Sequence, residues 1–129
     1  MANGKKYSVV LTHISCEGTS ELGGANDEVA ICYQADAGVP VRYPATGYQR
    51  MNTAADSSND VLQTWYVNLE LDFDYEVLVT LWDQDLGGDN NTSEFLANKV
   101  YTNPTDPAAS YQMSNNNGAI YTFYATAGA

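Results

Sequence analysis

The chain has 129 residues, 44% hydrophobic and 16% charged, a length that suits one compact domain and leaves little room for a second. Its 16 Asp and Glu face only 5 Lys and Arg, and the resulting net charge of -11 argues against a nucleic-acid partner and against simple attraction to anionic membranes. Disorder is excluded by 10 Tyr, 2 Trp and 3 Phe, enough large side chains to build a core.

The start, Met1-Ala2-Asn3-Gly4-Lys5-Lys6, is followed by alternating polar and apolar residues rather than the apolar run of a secretory signal. No uncharged apolar segment approaches the ~18 residues of a membrane span, and Thr126-Ala127-Gly128-Ala129 contains no prenylation Cys. These features predict one soluble domain over residues 1–129, flexible at residues 1–5, in the cytoplasm or exported by a non-classical route.

Along the chain the hydrophobic period is two. Tyr7, Val9 and Leu11 alternate with Ser8, Val10 and Thr12, and strand candidates follow at 28–35 and 39–44. The segment 45–60, rich in Ala, Ser, Asn, Asp and Thr, reads as irregular. Trp65, Val67, Leu69 and Leu71 then alternate with Tyr66, Asn68 and Glu70, and Val77, Val79 and Leu81 with Leu78, Thr80 and Trp82. Further strands are expected at 96–102, 109–114 and 118–126, the last two joined by a hairpin at Asn117-Gly118. Two prolines make 103–110 a loop, and no convincing helix is present. The result is an all-β chain, an antiparallel sandwich of seven or eight strands. Trp65 and Trp82 lie inside strand patterns and are expected in the core. His13 is expected to be structural. Cys16 and Cys32, in or beside apolar strands, read as free thiols rather than a disulfide, and without a CxxC pair a zinc site fits poorly.

The acids divide into two groups. Asp36, Asp56, Asp60, Glu70, Asp72, Asp74, Glu76 and Asp106 are scattered, as on a solvated surface. The other eight fall in two loops, 17–28 (Glu17, Glu21, Asp27, Glu28) and 83–94 (Asp83, Asp85, Asp89, Glu94), neither of which contains a base. Two carboxylates ~4 Å apart at an effective dielectric of ~20 repel by ~4 kcal/mol, so convergence calls for a cation or a proton. Calcium suits such loops because it accepts 6–8 oxygens in irregular geometry, whereas Mg²⁺ demands a near-ideal octahedron. The EF-hand spacing fails, since position 87 is Gly and the loop is flanked by strands. The competing reading is a pair of solvated acidic turns, for Asp, Asn and Gly are ordinary turn formers.

The run Glu21-Leu22-Gly23-Gly24-Ala25-Asn26-Asp27-Glu28-Val29-Ala30 resembles the first calcium loop of C2 domains, where an acid is followed six positions later by the Asp that opens the next strand. Val77-Leu78-Val79-Thr80-Leu81-Trp82-Asp83-Gln84-Asp85, then a Gly/Asn-rich stretch, then Glu94-Phe95-Leu96-Ala97, is similar to that family's strand, D-x-D loop and following D-F-[IL]-G. Asn59-Asp60-Val61-Leu62-Gln63-Thr64-Trp65 stands between them, where the family often has N-P-x-W-x-E. The resemblance covers roughly residues 7–102. It implies a C2-like sandwich that holds one or two Ca²⁺ through Glu21 and Asp27 from one loop and Asp83, Asp85, Asn91 and Glu94 from the other, with Glu28 and Asp89 as additional candidates. Glu28 replaces the family's common Pro, Ala97 its usual Gly, and the second loop is three residues longer if Glu94 is the equivalent acid.

The function expected is that of a noncatalytic calcium-binding module in a structural or interaction role, with self-association or a protein as partner. The resemblance implies a calcium-dependent phospholipid-binding module as one alternative, with membrane contact only when the ion bridges. A carbohydrate-binding sandwich is the other. Neither G-x-S-x-G, H-E-x-x-H nor a phosphate loop is present, which leaves enzymatic readings weak.

Overall fold

The computed structural model describes residues 4–58, 60–84, 93–107 and 109–128. Ten strands form there: β1 (Tyr7–Gly18), β2 (Asp27–Ala35), β3 (Val41–Tyr43), β4 (Gln49–Met51), β5 (Val61–Leu62), β6 (Thr64–Phe73), β7 (Val77–Gln84), β8 (Ser93–Tyr101), β9 (Ser110–Ser114) and β10 (Ile120–Ala127). They make two sheets, a four-stranded one ordered β6-β1-β10-β9 and a six-stranded one ordered β5-β4-β2-β7-β8, in which β3 also pairs with β2. Every pairing is antiparallel except that of β4 with β5. No described helix is long and apolar enough to cross a membrane.

The expected all-β sandwich is present, with more strands than the seven or eight read from the sequence. The difference lies at 45–62, where β4 has three residues and β5 two, too few to show a period. Pairing of β4 with β2 and of β5 with β4, and burial of Met51 and Val61, rather than local propensity, hold them in place.

The inner faces are aliphatic and aromatic, with Val9, Leu11 and Ile14 of β1, Phe73 of β6 and Phe123 of β10 meeting Val29 and Ile31 of β2 and Val79 and Leu81 of β7. A bulge interrupts the period-two pattern of β1. Across from β10, Leu11 faces Ala125 and His13 faces the adjacent Tyr124, so Thr12 is an extra residue in β1; across from β6 the extra residue lies in β6, where Val67 and Asn68, the latter with φ 46°, stand opposite Thr12. The inward set of β1 therefore changes from Val9 and Leu11 to Ile14 and Cys16. His13 turns to the outer face, where its ring lies between those of Tyr66 and Tyr124, with centroids 4.7 and 4.1 Å away.

Cys16 and Cys32 are both free, and burial pushes the Cys16 thiol up to about 11. Trp65 lines the core as expected. Trp82 does not, because β7 buries Val77, Val79, Leu81 and Asp83 and turns Leu78, Thr80, Trp82 and Gln84 outward. On that outer face the Trp82 indole donates from Nε1 to Thr80 Oγ1 at 2.8 Å and meets Phe95 edge-on.

Candidate metal centre

The alternation that builds the core also delivers two carboxylates to its rim. Along β7 the inward column Val77, Val79, Leu81 ends at Asp83, and along β2 the column Ile31, Val29 begins at Asp27. The strands are antiparallel neighbours with Val29 opposite Asp83, so both acids reach the same end of the sandwich. The third group, Glu21, comes from the loop between β1 and β2, just before a 3₁₀ turn at Leu22–Gly24. Gly23 and Gly24, with φ of 73° and 77°, permit that turn, and Gly24 N–H donates to the Glu21 carbonyl at 3.3 Å.

Glu21, Asp27 and Asp83 each place a carboxylate oxygen within 4.8 Å of the other two. Asp27 and Asp83 are buried, and Glu21 is the most exposed of the three. Asp27 Oδ1 accepts the Ser20 hydroxyl at 2.7 Å and the Ser20 amide at 3.1 Å, while Asp27 Oδ2 accepts the Tyr121 hydroxyl at 2.7 Å. Asp83 Oδ1 accepts the Glu28 amide at 2.8 Å, and Ser20 Oγ stands 3.4 Å from Asp83 Oδ2.

These bonds only partly offset the electrostatics. Burial, then the adjoining Glu21 carboxyl and the charge of Glu94, push Asp83 up to about 7, against the opposing pull of the Glu28 amide. Burial also raises Asp27, countered by Tyr121 and Ser20 and reinforced by the charge of Asp83. Among the described residues, the ion pairs are those of Lys5 with Asp36 and Asp74, and none reaches this cluster. Three acids, two of them buried, thus converge at one end of the sandwich with no ion-pair partner among the described residues.

The donor set could hold a cation. Oxygens on opposite sides of an ion bound at 2.3–2.6 Å lie roughly 5 Å apart, so a spread of 4.8 Å lets one cation touch all three carboxylates without large rearrangement. Three hard, anionic oxygen donors without nitrogen or sulfur also match calcium better than zinc.

The remaining candidate ligands are placed differently. Glu94 faces Asp83 across the β7–β8 pairing, is exposed, and accepts from Asn117 Nδ2 at 2.7 Å, so it lies beside the triad rather than in it. Glu28 follows the buried Asp27 along β2, faces the opposite side, and is in register with Arg50. Asp85, Asp89 and Asn91 lie outside the described residues. Glu17, counted with the first acidic loop, belongs to β1 and accepts from Ser15 Oγ at 2.7 Å, Gln63 Nε2 at 3.2 Å and the Thr122 hydroxyl.

Sequence reasoning missed Ser20 and Tyr121. The signal for Tyr121 was available, since a tyrosine in the inward column Ala119, Tyr121, Phe123, Ala125 needs a polar partner within the core. It also misplaced Asp36, read as solvated. That carboxylate accepts the amides of Asp74, Tyr75 and Glu76 at 2.8, 2.7 and 3.0 Å and the Lys5 ammonium at 3.1 Å, which hold it well below the usual carboxylate range.

No protein-family model matches the chain, and no curated protein does. Among solved structures it is similar to human GIVD cytosolic phospholipase A2 in complex with methyl gamma-linolenyl fluorophosphonate, with a TM-score of 0.45 and 8% identity. The similarity covers 95% of this chain and 17% of that one, so this chain spans less than a fifth of the length of the protein it matches.

Proposed function

We propose that the protein is a noncatalytic calcium-binding β-sandwich module, in which Glu21, Asp27 and Asp83 hold the ion at one end and the bound ion stiffens the loops for a structural or protein-interaction role. The observation that carries this reading is the convergence of three carboxylates, two of them buried, with no cationic side chain among the described residues to neutralise them. Solvated acidic turns account for exposed acids. They do not account for Asp27 and Asp83, which are 0% and 3% exposed and still ringed by further carboxylates. Protonation can relieve one of them, and a divalent cation relieves all three.

Thermal melting with calcium and with chelator tests the reading. A ligand at 100 times its Kd stabilises the folded state by ~2.7 kcal/mol, so the melting temperature is expected to rise in calcium and fall in chelator, and the response to vanish in Asp83→Ala. A wild-type melting temperature indifferent to both additions would falsify the proposal. Light scattering over a concentration series then reads the role, since growth in particle size with calcium present supports self-association. Calcium-dependent sedimentation with anionic vesicles, by contrast, would move the function to lipid contact.

A further inference from the structure

Tyr121 is completely buried on β10 of the four-stranded sheet, yet its hydroxyl donates at 2.7 Å to Oδ2 of Asp27, on β2 of the six-stranded sheet. Among the described residues, the other donors to Asp27 all belong to Ser20 in the loop between β1 and β2. One support of this carboxylate is therefore a surface loop and the other a core strand of the facing sheet. Core filling does not require the phenolic oxygen, since phenylalanine offers the same ring without a polar group to desolvate. Cys16, on β1 directly across from Tyr121, is buried in the same core, its thiol donating to the Gly18 carbonyl at 3.4 Å.

We propose that Tyr121 is a positioning residue for the cation site, fixing the Asp27 carboxylate through Oδ2 and thereby tying the ion to the four-stranded sheet. The proposal rests on the reading of Asp27 as a calcium ligand. It follows the general behaviour of metal sites, where a group hydrogen-bonded to a ligand contributes 10–100-fold to affinity without touching the ion.

The test is calorimetric titration of calcium into the full chain, as wild type, Tyr121→Phe and Asp83→Asn. Tyr121→Phe is expected to bind calcium at least 10-fold more weakly with unchanged stoichiometry. Wild-type affinity in Tyr121→Phe, whatever its melting temperature, overturns the positioning role, because a merely structural hydroxyl changes stability and not Kd. If wild type binds and Asp83→Asn does not, that failure is confined to Tyr121. If wild type takes up no calcium, both this inference and the cation site fall. Should Tyr121→Phe fail to fold, hydrogen exchange of the wild type supplies the second measurement. Calcium is expected to slow exchange in β10 around residues 120–123 as well as in β2, and exchange in β10 that ignores calcium overturns the proposal.

Discussion

At the scale of single residues, Asp83 carries two opposed requirements. Its place in the inward column of β7 takes it out of water, and its neighbours Glu21 and Glu94 disfavour its charge, so the carboxyl titrates at about 7 in the metal-free fold against ~3.9 in an unfolded chain. Below about pH 4 both states hold the proton and nothing is lost. Between about 4 and 7 the unfolded chain releases it while the folded one retains it, so the metal-free fold weakens as pH rises, and above about 7 the loss is complete. Asp83→Asn keeps an oxygen for the Glu28 amide and removes the charge. The melting temperature of metal-free wild type is therefore expected to fall behind that of Asp83→Asn between pH 4 and 8, and calcium is expected to reverse the order at pH 8. A difference between the two proteins that stays constant with pH contradicts this assignment.

At the scale of elements, period-two alternation made most strands legible, and the hairpin at Asn117-Gly118 joins β9 to β10 as its turn residues indicate. The short strands β4 and β5 and the bulge at Thr12 were not legible, because both depend on partners distant in sequence. Trp82 failed for a different reason: in Val77 to Gln84 both faces carry apolar residues, so alternation separates two sets without saying which one meets the core. Glu21, Asp27 and Asp83 could be named in advance because each sits at a strand or loop boundary with recognisable spacing, whereas Tyr121 reaches Asp27 only after the two sheets pack. Asp36, at the end of β2 remote from the acidic triad, fastens the β6–β7 turn by three amide bonds. Asp36→Ala is expected to lower the melting temperature and leave the calcium response intact. Because Asp36 is shifted down, its contribution is present above about pH 4 and fades as pH falls toward its lower folded value, opposite in sign to that of Asp83. A scan of Asp36→Ala against wild type from pH 2 to 7 reads this directly, and a gap that widens on acidification contradicts it.

At the scale of the whole molecule, the sandwich core and the proposed ion site draw on the same inward columns of β2 and β7. Leu81, two residues before Asp83 and 0% exposed, fills the space between the sheets, and Leu81→Ala is expected to cost about 2–5 kcal/mol in chemical denaturation. A cost below ~1 kcal/mol would place Leu81 outside the core. The net charge of -11 also takes on a local meaning, since part of it converges on one end of the fold, where a bound Ca²⁺ would offset two negative charges. The central claim is that this end of the sandwich is a calcium site, and its most direct measurement is calorimetric titration of metal-stripped protein with calcium at pH 7.5. The account predicts saturable binding of one or two ions in wild type and its loss in the Asp27→Asn/Asp83→Asn double variant. Wild type without saturable heat, or a double variant that binds as wild type does, would contradict it.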